Sequence, residues 1–332
     1  MGFRAYRRAA MATVWCSIPL LVAQTPAIIR VPVRLVTAPT LVFSKDGRLV
    51  PGLESTNFRV YDNGARQKIS LDTAATPVSV ALVIQANQDV REYIPFIARI
   101  GSVVESLLLG ESGEGAVIAC GDEVAVLKTF DSGDVAGALR NLTASGRETR
   151  TIDAGLRAAA LLKERPASRA RVLLFIGQAV DSGSESSLDA LRQEVERNNI
   201  TVFALVLPEL GKAFVSDTFS LEGLSSRTDR GGYKAGVDLG KLIRVLGRSG
   251  KAEAAADPFS ALTAATGGTQ FHFRKQKELE DAIATIGVEL RSSYLLSYSP
   301  NSTEPGYHTI KVEVTVPAAK VYCRPGYWLG VE

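Results

Sequence analysis

Short apolar runs recur along the middle of the chain, and this recurrence constrains the fold more than any other feature of the sequence. Each run lacks a polar face, so it suits a β-strand that is covered on both sides. Segments with the 3.6-residue period of an amphipathic helix separate the runs. This alternation predicts an α/β fold with a doubly wound, mostly parallel sheet and helices on both faces. The strands are predicted at Val78–Ile84, Ala116–Cys120, Val124–Phe130, Val172–Ile176, Thr201–Leu207 and Gln270–Phe273.

Helices are predicted between these strands from apolar stripes at helical spacing. One continuous helix is expected to carry Ile97, Ile100, Val104 and Leu107. Further helices are expected around 152–159, 188–195 and 258–266, and a long one around 279–290. We therefore place an α/β domain at residues 76–292. Within it, residues 208–257 are Gly-rich and weakly patterned, so they form a long insertion without predicted structure.

The two flanks of this domain have the period of two that is typical of half-exposed strands. In the N-terminal flank, the turn pairs Asp46-Gly47 and Asn63-Gly64 indicate hairpins. In the C-terminal flank, Ile310, Val312 and Val314 alternate with polar residues. Chain ends often lie close together. We therefore predict a small antiparallel β module built from both ends, in which the segment 28–74 pairs with the segment 293–332.

The N-terminus has the features of an export signal. A basic start with Arg4, Arg7 and Arg8 precedes an apolar run that ends near Ala23, where small residues suit cleavage. A membrane anchor is the alternative, but the run is short for a span. We predict a signal peptide at residues 1–25 and an exported protein, whether periplasmic, in the cell envelope or secreted. No second long apolar segment follows, so no membrane insertion is expected after cleavage.

The remaining composition excludes some partners. The net charge of +3 over 332 residues provides no electrostatic footprint for nucleic acid. Removal of the signal leaves two cysteines, Cys120 and Cys323. An oxidising compartment permits a bridge between them, but a buried free thiol at Cys120 is the simpler interpretation.

Several segments together resemble a known family. The matching segments cover almost everything after the signal: Ser44–Leu53, Asn57–Ile69, Ala265–Thr269, Tyr294–Tyr298, His308–Val312 and Arg324–Tyr327. In this order they are similar to the von Willebrand factor A-related proteins typical of exported acidobacterial proteins. The resemblance implies the same α/β fold, with a functional site at the carboxyl ends of the strands, where open α/β sheets bind ligands.

In such domains this site usually binds a divalent cation, most often Mg²⁺, through Asp-x-Ser-x-Ser, a Thr and an Asp. Here Gln85 occupies the position of the first Asp, Asn87 and Asp89 those of the two Ser residues, and Gln178 that of the last Asp; Thr149 fits the usual Thr. Two anionic ligands have thus become neutral amides. Because a divalent cation needs negative charge as well as oxygen ligands, we expect no metal cofactor. A rearranged Mg²⁺ site using Asn87, Asp89, Thr149 and Asp181 is the alternative.

A survey of catalytic motifs favours no enzyme. There is no G-x-S-x-G elbow, no phosphate-binding loop and no zinc spacing of Cys and His. The two histidines, His272 and His308, lie in strand-like segments and are interpreted as structural. A Ser-rich turn at 183–186 is interpreted as a helix cap.

We therefore predict an exported, non-enzymatic binding protein. Its partner would be an unidentified protein or cell surface, bound by the metal-site-equivalent loops independently of metal ions. The predicted partner-binding residues are Gln85, Asn87, Asp89, Thr149, Gln178 and Asp181. A metal-dependent adhesion module, a structural envelope component and an unrecognised enzyme are the alternatives.

Overall fold

The computed structural model describes residues 35–72, 76–131, 133–207, 257–273 and 276–330. Three predictions lie outside the described residues: the signal peptide at 1–25, the beginning of the N-terminal β segment, and nearly all of the insertion at 208–257.

A six-stranded sheet forms the centre of the α/β domain, and it confirms the predicted fold class. Its strands are β5 (Val78–Gln85), β6 (Glu114–Cys120), β7 (Val124–Lys128), β8 (Ala170–Gly177), β9 (Ile200–Val206) and β10 (Gln270–His272). Their order is β10-β9-β8-β5-β6-β7. All neighbours are parallel except β6 and β7, which form an antiparallel pair at one edge. The apolar runs of the sequence thus form the four central strands β5, β6, β8 and β9, which are buried on both faces, whereas the edge strands β7 and β10 are partly exposed.

Helices cover both faces of this sheet. They are α1 (Ile94–Ile97), α2 (Gly101–Val103), α3 (Val135–Arg140), α4 (Thr151–Lys163), α5 (Leu188–Arg197), α6 (Pro258–Thr266) and α7 (Gln276–Ser292). Successive residues of β5 point to opposite faces, so Leu82 packs in the core with α1, α2, α3 and α7, whereas Val83 packs in the core with α4, α5 and α6. The sheet is therefore enclosed between two apolar cores.

The segment after β5 differs from the single helix predicted there. It comprises a 3₁₀ turn at Gln88–Tyr93, the short helices α1 and α2, and a π-helical turn at Val104–Leu109. Pro95 stands in the first turn of α1, where its missing N–H costs nothing. A Cβ at Gly101 would lie 2.5 Å from the Cα of Ala136, so the backbone here packs directly against α3. Helix α3 was not predicted from the sequence. It is only six residues long, and the side chain of Asp134 caps its N-terminus.

The remaining strands form two antiparallel four-stranded sheets that share one core. They are β1 (Val36–Phe43), β2 (Phe58–Asp62), β3 (Ala65–Arg66), β4 (Ser70–Asp72), β11 (Tyr294–Tyr298), β12 (Gly306–Val314), β13 (Lys320–Cys323) and β14 (Gly326–Leu329). The sheet orders are β13-β1-β11-β4 and β14-β12-β2-β3. N-terminal β1 pairs with C-terminal β11, and β2 pairs with β12. Both ends of the described chain thus build this β-sandwich.

A buried carboxylate organises the core of the β-sandwich. Asp62 accepts hydrogen bonds from the hydroxyls of Tyr298 (3.1 Å) and Tyr327 (2.6 Å), and its other oxygen lies 2.8 Å from Nδ1 of His308. All four side chains are buried. Burial by itself disfavours a charged His308, but the hydrogen bonds to the Glu304 carbonyl and to Asp62 outweigh it and raise the pKa of His308. His308 is therefore a structural residue, as its strand position indicated.

A second polar cluster attaches the β-sandwich to α5. Arg324, which is buried, donates to the Glu196 carbonyl and to the side chain of Asn199, and Trp328 Nε1 donates to the Glu196 carboxylate. Burial raises the pKa of Glu196, and the hydrogen bond from Trp328 and the nearby arginines oppose that rise. This cluster holds the two parts of the chain in a fixed arrangement.

Cys120 and Cys323 are free thiols. Cys120 lies in β6 and Cys323 in β13, and burial raises the pKa of each thiol to about 11. Among the described residues, none of the helices has the length and hydropathy needed to cross a membrane.

Replacement of Asp62 by alanine is expected to lower the free energy of unfolding by about 3 kcal/mol, because it leaves three buried hydrogen-bond donors without an acceptor. Urea denaturation at pH 7 measures the change. Arg59→Ala, at an exposed position of the same strand, is the matched control and is expected to change stability by about 0.5 kcal/mol or less. Equal losses in the two variants would contradict the role assigned to Asp62.

The raised pKa of His308 predicts a pH dependence of stability. The charged form is favoured in the folded protein, so its contribution is fully present below the unfolded pKa of about 6.5 and is lost as pH rises through the folded pKa. Because other groups titrate in the same range, the quantity to measure is the difference in unfolding free energy between wild type and His308→Asn from pH 5.5 to 9. We expect this difference to shrink as pH rises. A constant difference would show that protonation of His308 does not contribute.

Candidate functional site

The two glutamines that replace the usual acidic ligands meet at the carboxyl edge of the sheet. Gln85 is the last residue of β5, and Gln178 directly follows the neighbouring strand β8. The main-chain N–H of Gln178 donates to Gln85 Oε1 (2.6 Å), and Gln85 Nε2 lies 3.4 Å from Gln178 Oε1. The ends of the two central strands are therefore joined through a side chain.

Asn87 extends this contact into a chain of amides. Gln85 Nε2 donates to Asn87 Oδ1 (2.9 Å), and Asn87 Nδ2 donates to Asp89 Oδ2 and to the Arg147 carbonyl, both at 3.1 Å. Gln85 is 2% exposed and Asn87 is 1% exposed. The amide network, which we define as Gln85, Asn87 and Gln178, thus binds the loop after β5 to the loop before α4.

Thr149 lies beneath the surface next to this network. It is 1% exposed, and its hydroxyl is 3.1 Å from that of Thr151 and 3.8 Å from the sulfur of Cys120. Thr151 donates onward to the Val180 carbonyl, and the Thr149 N–H donates to the Ser182 hydroxyl. The two threonines therefore connect the loop before α4 to the loop after β8.

Asp181 caps a helix. The first residues of α4 lack a cap from their own N-terminal neighbour, and Asp181 Oδ1 accepts from the N–H of Ile152 (3.0 Å) and from the Ser184 hydroxyl (2.6 Å). Asp153 returns the contact by accepting from the N–H groups of Glu185 and Ser186. Burial alone would raise the pKa of Asp153, but these hydrogen bonds outweigh it and lower the pKa. The carboxylates here satisfy backbone N–H groups.

The donor set does not fit a divalent cation. Asn87 Oδ1 and Gln178 Oε1 both accept from Gln85, and Asp181 Oδ1 is occupied by the cap of α4. Within the described ranges, no group of three His, Cys, Asp or Glu residues is arranged to hold a metal. In the rearranged alternative, Thr149 and Asp181 would face a common ion with Asp89. Here the Thr149 hydroxyl contacts that of Thr151, and Asp181 Oδ1 accepts from Ser184 and from the N–H of Ile152. A hard cation at these oxygens would compete with those hydrogen bonds.

Burial also changes the role of three predicted partner-binding residues. Gln85, Asn87 and Thr149 are buried in this structure, so the direct contact with a partner that was predicted for these three stays a prediction. The side chains of these three residues hydrogen-bond to groups of the neighbouring loops and so hold those loops in position. The surface that the loops expose, which we call the carboxyl-edge surface, consists of Gln88, Asp89, Glu148, Val180 and Ser182. Of the predicted residues, only Asp89 is exposed there, and Gln178 and Asp181 are partly exposed.

Sequence reasoning missed several residues that shape this edge. Thr151 was missed, although its position two residues after Thr149 placed a second hydroxyl group in the same loop region. Asp122 accepts from the N–H groups of Arg147 and Glu148 at 2.9 and 2.8 Å, and nothing in the sequence connects these distant positions. Ser184 was interpreted as a cap for the helix that follows it. It instead donates to Asp181 and accepts from α4, and Ser187 caps α5.

No protein-family model and no curated protein matches the sequence. Solved structures are similar to it at low identity. The conserved hypothetical protein BatB from Bacteroides thetaiotaomicron is 12% identical, with a TM-score of 0.42, over 64% of this chain and 98% of that chain. The von Willebrand factor A domain of SpRpn10 is 16% identical, with a TM-score of 0.33, over 40% of this chain and 77% of that chain. Proximal thread matrix protein 1 from the mussel byssus, with a zinc-occupied metal-ion-dependent adhesion site motif, is 12% identical, with a TM-score of 0.44, over 69% of this chain and 49% of that chain.

These similarities concern the fold. The α/β domain has the doubly wound, mostly parallel sheet with helices on both faces that the resemblance in sequence implied. At such identities, the similarity does not indicate what this chain binds.

Gln85→Ala tests whether the amide network holds the edge together. The variant leaves the Gln178 N–H and Asn87 Oδ1 without their partners in a buried site, and we expect the unfolding free energy to fall by about 2 kcal/mol. Gln88→Ala, three residues away and exposed, is the matched control, with an expected change of about 0.5 kcal/mol or less. Urea denaturation compares the two. A Gln85→Ala variant as stable as the control would mean that the network contributes nothing to folding.

Proposed function

We propose that this protein is an exported, non-enzymatic binding protein that captures a protein partner through the carboxyl-edge surface without a metal ion. The observation that carries the proposal is the closed amide network beneath that surface. Gln85, Asn87 and Gln178 satisfy one another and fix three loops that a cation would otherwise hold. Partner recognition then falls to the side chains that remain exposed above them.

Rigid loops favour binding because they have little conformational entropy left to lose. Each loop of this edge is bonded to the next: the Gln88 N–H donates to the Gly146 carbonyl, and the Thr149 N–H donates to Ser182. A preorganised surface retains more of its contact energy as affinity. On this surface Val180, which is 45% exposed, is the apolar side chain, and Asp89, Glu148 and Ser182 are exposed polar ones. An apolar anchor with a polar rim is the usual arrangement of a protein interface.

The non-enzymatic part of the proposal rests on the positions of the ionisable groups. His308 is enclosed in the β-sandwich with Asp62, and the exposed His272 has Gln270 as its hydrogen-bond partner. At the carboxyl edge, Asp153 and Asp181 cap backbone N–H groups. In the described part of the chain, the edge thus brings together no nucleophile and base of the kind that hydrolysis needs. Export rests on the basic and apolar pattern of the N-terminal segment.

A metal-dependent adhesion module, using Asn87, Asp89, Thr149 and Asp181, remains the second candidate. It differs in one measurable respect: its binding would require a divalent cation. The neutral amides disfavour it, since they supply oxygens without negative charge.

The two candidates are tested by capture of partners from a cell-envelope extract on the immobilised protein, with and without EDTA. Val180→Asp replaces the apolar side chain of the carboxyl-edge surface by a charged one and is expected to lower capture at least about tenfold. Leu127→Asp is the matched control, because Leu127 on β7 is 40% exposed and also apolar. We expect the Leu127→Asp variant to capture partners like wild type. Neither EDTA nor added Mg²⁺ is expected to change the capture of partners or the melting temperature of the protein.

Loss of capture in EDTA would replace this proposal by the metal-dependent module. Equal loss in the Val180 and Leu127 variants would show that the carboxyl edge is not the binding surface.

A further inference from the structure

Strand β7 (Val124–Lys128) forms one edge of the central sheet and pairs with β6 alone. It has five residues, which makes it the longest edge strand in the described part of the chain. Its first four residues are apolar, and none of its residues is a proline. Exposed strand edges readily pair with another strand, and natural proteins usually protect them with charged residues or proline. The stretch Val124–Leu127 has neither, so this edge is open to further pairing.

One hydrogen bond fixes the direction of the main-chain groups in β7. The Gly121 N–H donates to the Glu123 carbonyl (3.1 Å) where the chain turns from β6 into β7. Because hydrogen-bonded and non-hydrogen-bonded pairs alternate along an antiparallel ladder, the next residue of β7 that bonds to β6 is Ala125. The N–H and C=O groups of Val124 and Val126 therefore point away from β6. Among the described residues, no hydrogen bond reaches these groups.

There is room for a further strand beside these groups. The side chains of Val124 and Val126 are half-buried against the core that contains α4, whereas Ala125 and Leu127 are exposed. A groove that is open to solvent lies beside Val124 and reaches Arg157 on α4. An added strand would thus find unpaired main-chain groups flanked by apolar side chains.

Two features limit the length of this edge. The register between β6 and β7 shifts at Val117 and Ile118, which marks a β-bulge. Just beyond the shift, Lys128 is buried, and its ammonium group donates to the carbonyls of Gly115 and Thr129. Bulges and inward-pointing charges end regular pairing at strand edges. The free edge is thus confined to a short stretch around Ala125, which suits one short strand.

We propose that β7 pairs antiparallel with β7 of a second copy of this chain, about a two-fold axis at Ala125. In this register, Val124 of each copy lies opposite Val126 of the other, and each such pair exchanges main-chain hydrogen bonds in both directions. Ala125 faces its own counterpart in the closely spaced, non-hydrogen-bonded pair, where a small side chain allows the approach. The two central sheets then form one continuous sheet.

The charges favour this orientation. Strand β7 follows two acidic residues, Asp122 and Glu123, and it ends at Lys128. Antiparallel pairing places Glu123 opposite Leu127 of the second copy, and the acidic end of one strand meets the lysine end of the other. Parallel pairing would place like charges side by side. An isologous contact of this kind uses the β7 edge of both copies, so it closes at the dimer.

Sedimentation equilibrium of the whole protein tests the dimer. An edge contact this short buries less than a standard interface, so we expect a dissociation constant of roughly 100 μM. Monomers should predominate at about 10 μM and dimers at about 1 mM. A protein that stays monomeric over this range would overturn the proposal, including the case in which the edge serves an extended segment of a different protein.

A charge exchange tests the register. Leu127→Asp places a carboxylate opposite Glu123 of the second copy and is expected to weaken the dimer at least about threefold, whereas Leu127→Lys is expected to strengthen it. The two variants are matched, because both lose the same exposed apolar side chain. Combining Leu127→Asp with Glu123→Lys should restore association. Equal effects of the two single variants, or none, would overturn this register. Leu127→Asp is expected to keep partner capture, so this proposal and the proposed function fail separately.

Residue-resolved amide hydrogen exchange locates the contact. The N–H groups of Val124 and Val126 are free in the monomer and bonded in the dimer, so raising the concentration from about 10 μM to about 1 mM should slow their exchange at least about threefold. The Ala125 N–H bonds to β6 in both states, and its exchange should not change. A dimer that leaves the exchange of Val124 and Val126 unchanged would form through another surface and would contradict the proposal.

Discussion

The hydrogen bonds between Gln85 and Gln178 fix the geometry on which the carboxyl edge depends. In a parallel sheet that is covered on both faces, polar side chains can gather only where the strands end. Two carboxylates at this distance repel each other and only accept hydrogen bonds, so they need a cation between them. An amide both donates and accepts, so amides can satisfy one another without an ion. Glutamines at these two positions therefore join the strand ends by internal hydrogen bonds.

The way in which the α/β domain is inserted places its connections to the β-sandwich at the other end of the sheet. Both connections to the β-sandwich, from β4 to β5 and from α7 to β11, lie at the amino ends of the parallel strands. The contacts of Glu196 with Arg324 and Trp328 then hold the β-sandwich against α5. Insertion through one end leaves the loops of the other end without a covalent link to the sandwich. The carboxyl-edge surface is thus presented on a rigid support.

Sequence patterns predicted the strands and helices that local periodicity determines. They did not predict the burial and the hydrogen-bond partners of side chains that depend on loops distant in the sequence. The strands β5, β8 and β9 were predicted because their apolar runs allow no other placement. The meeting of Gln85 with Gln178 followed from parallel pairing, since neighbouring strand ends share an edge. Burial of Gln85, Asn87 and Thr149 could not be predicted, because it arises from loops that fold over them. Asp181 looked like a potential ligand in the sequence, but an uncapped helix beside it determined its role.

Glu289 illustrates the same limit at the other end of the domain. The helical stripe of α7 runs through Leu279, Ile283, Ile286 and Leu290, and this stripe left Glu289 on a face that the sequence assigns to solvent. Docking of the β-sandwich buries that face, and a charged residue there becomes an unpaired carboxyl group. The carboxyl edge and the end of α7 therefore differ in one physical respect. At the edge, buried polar groups hydrogen-bond one another, so their desolvation is compensated within the protein. At the end of α7, Glu289 Oε2 has no hydrogen-bond partner among the described residues, so burial there favours the neutral form of the carboxyl group and raises its pKa to about 8.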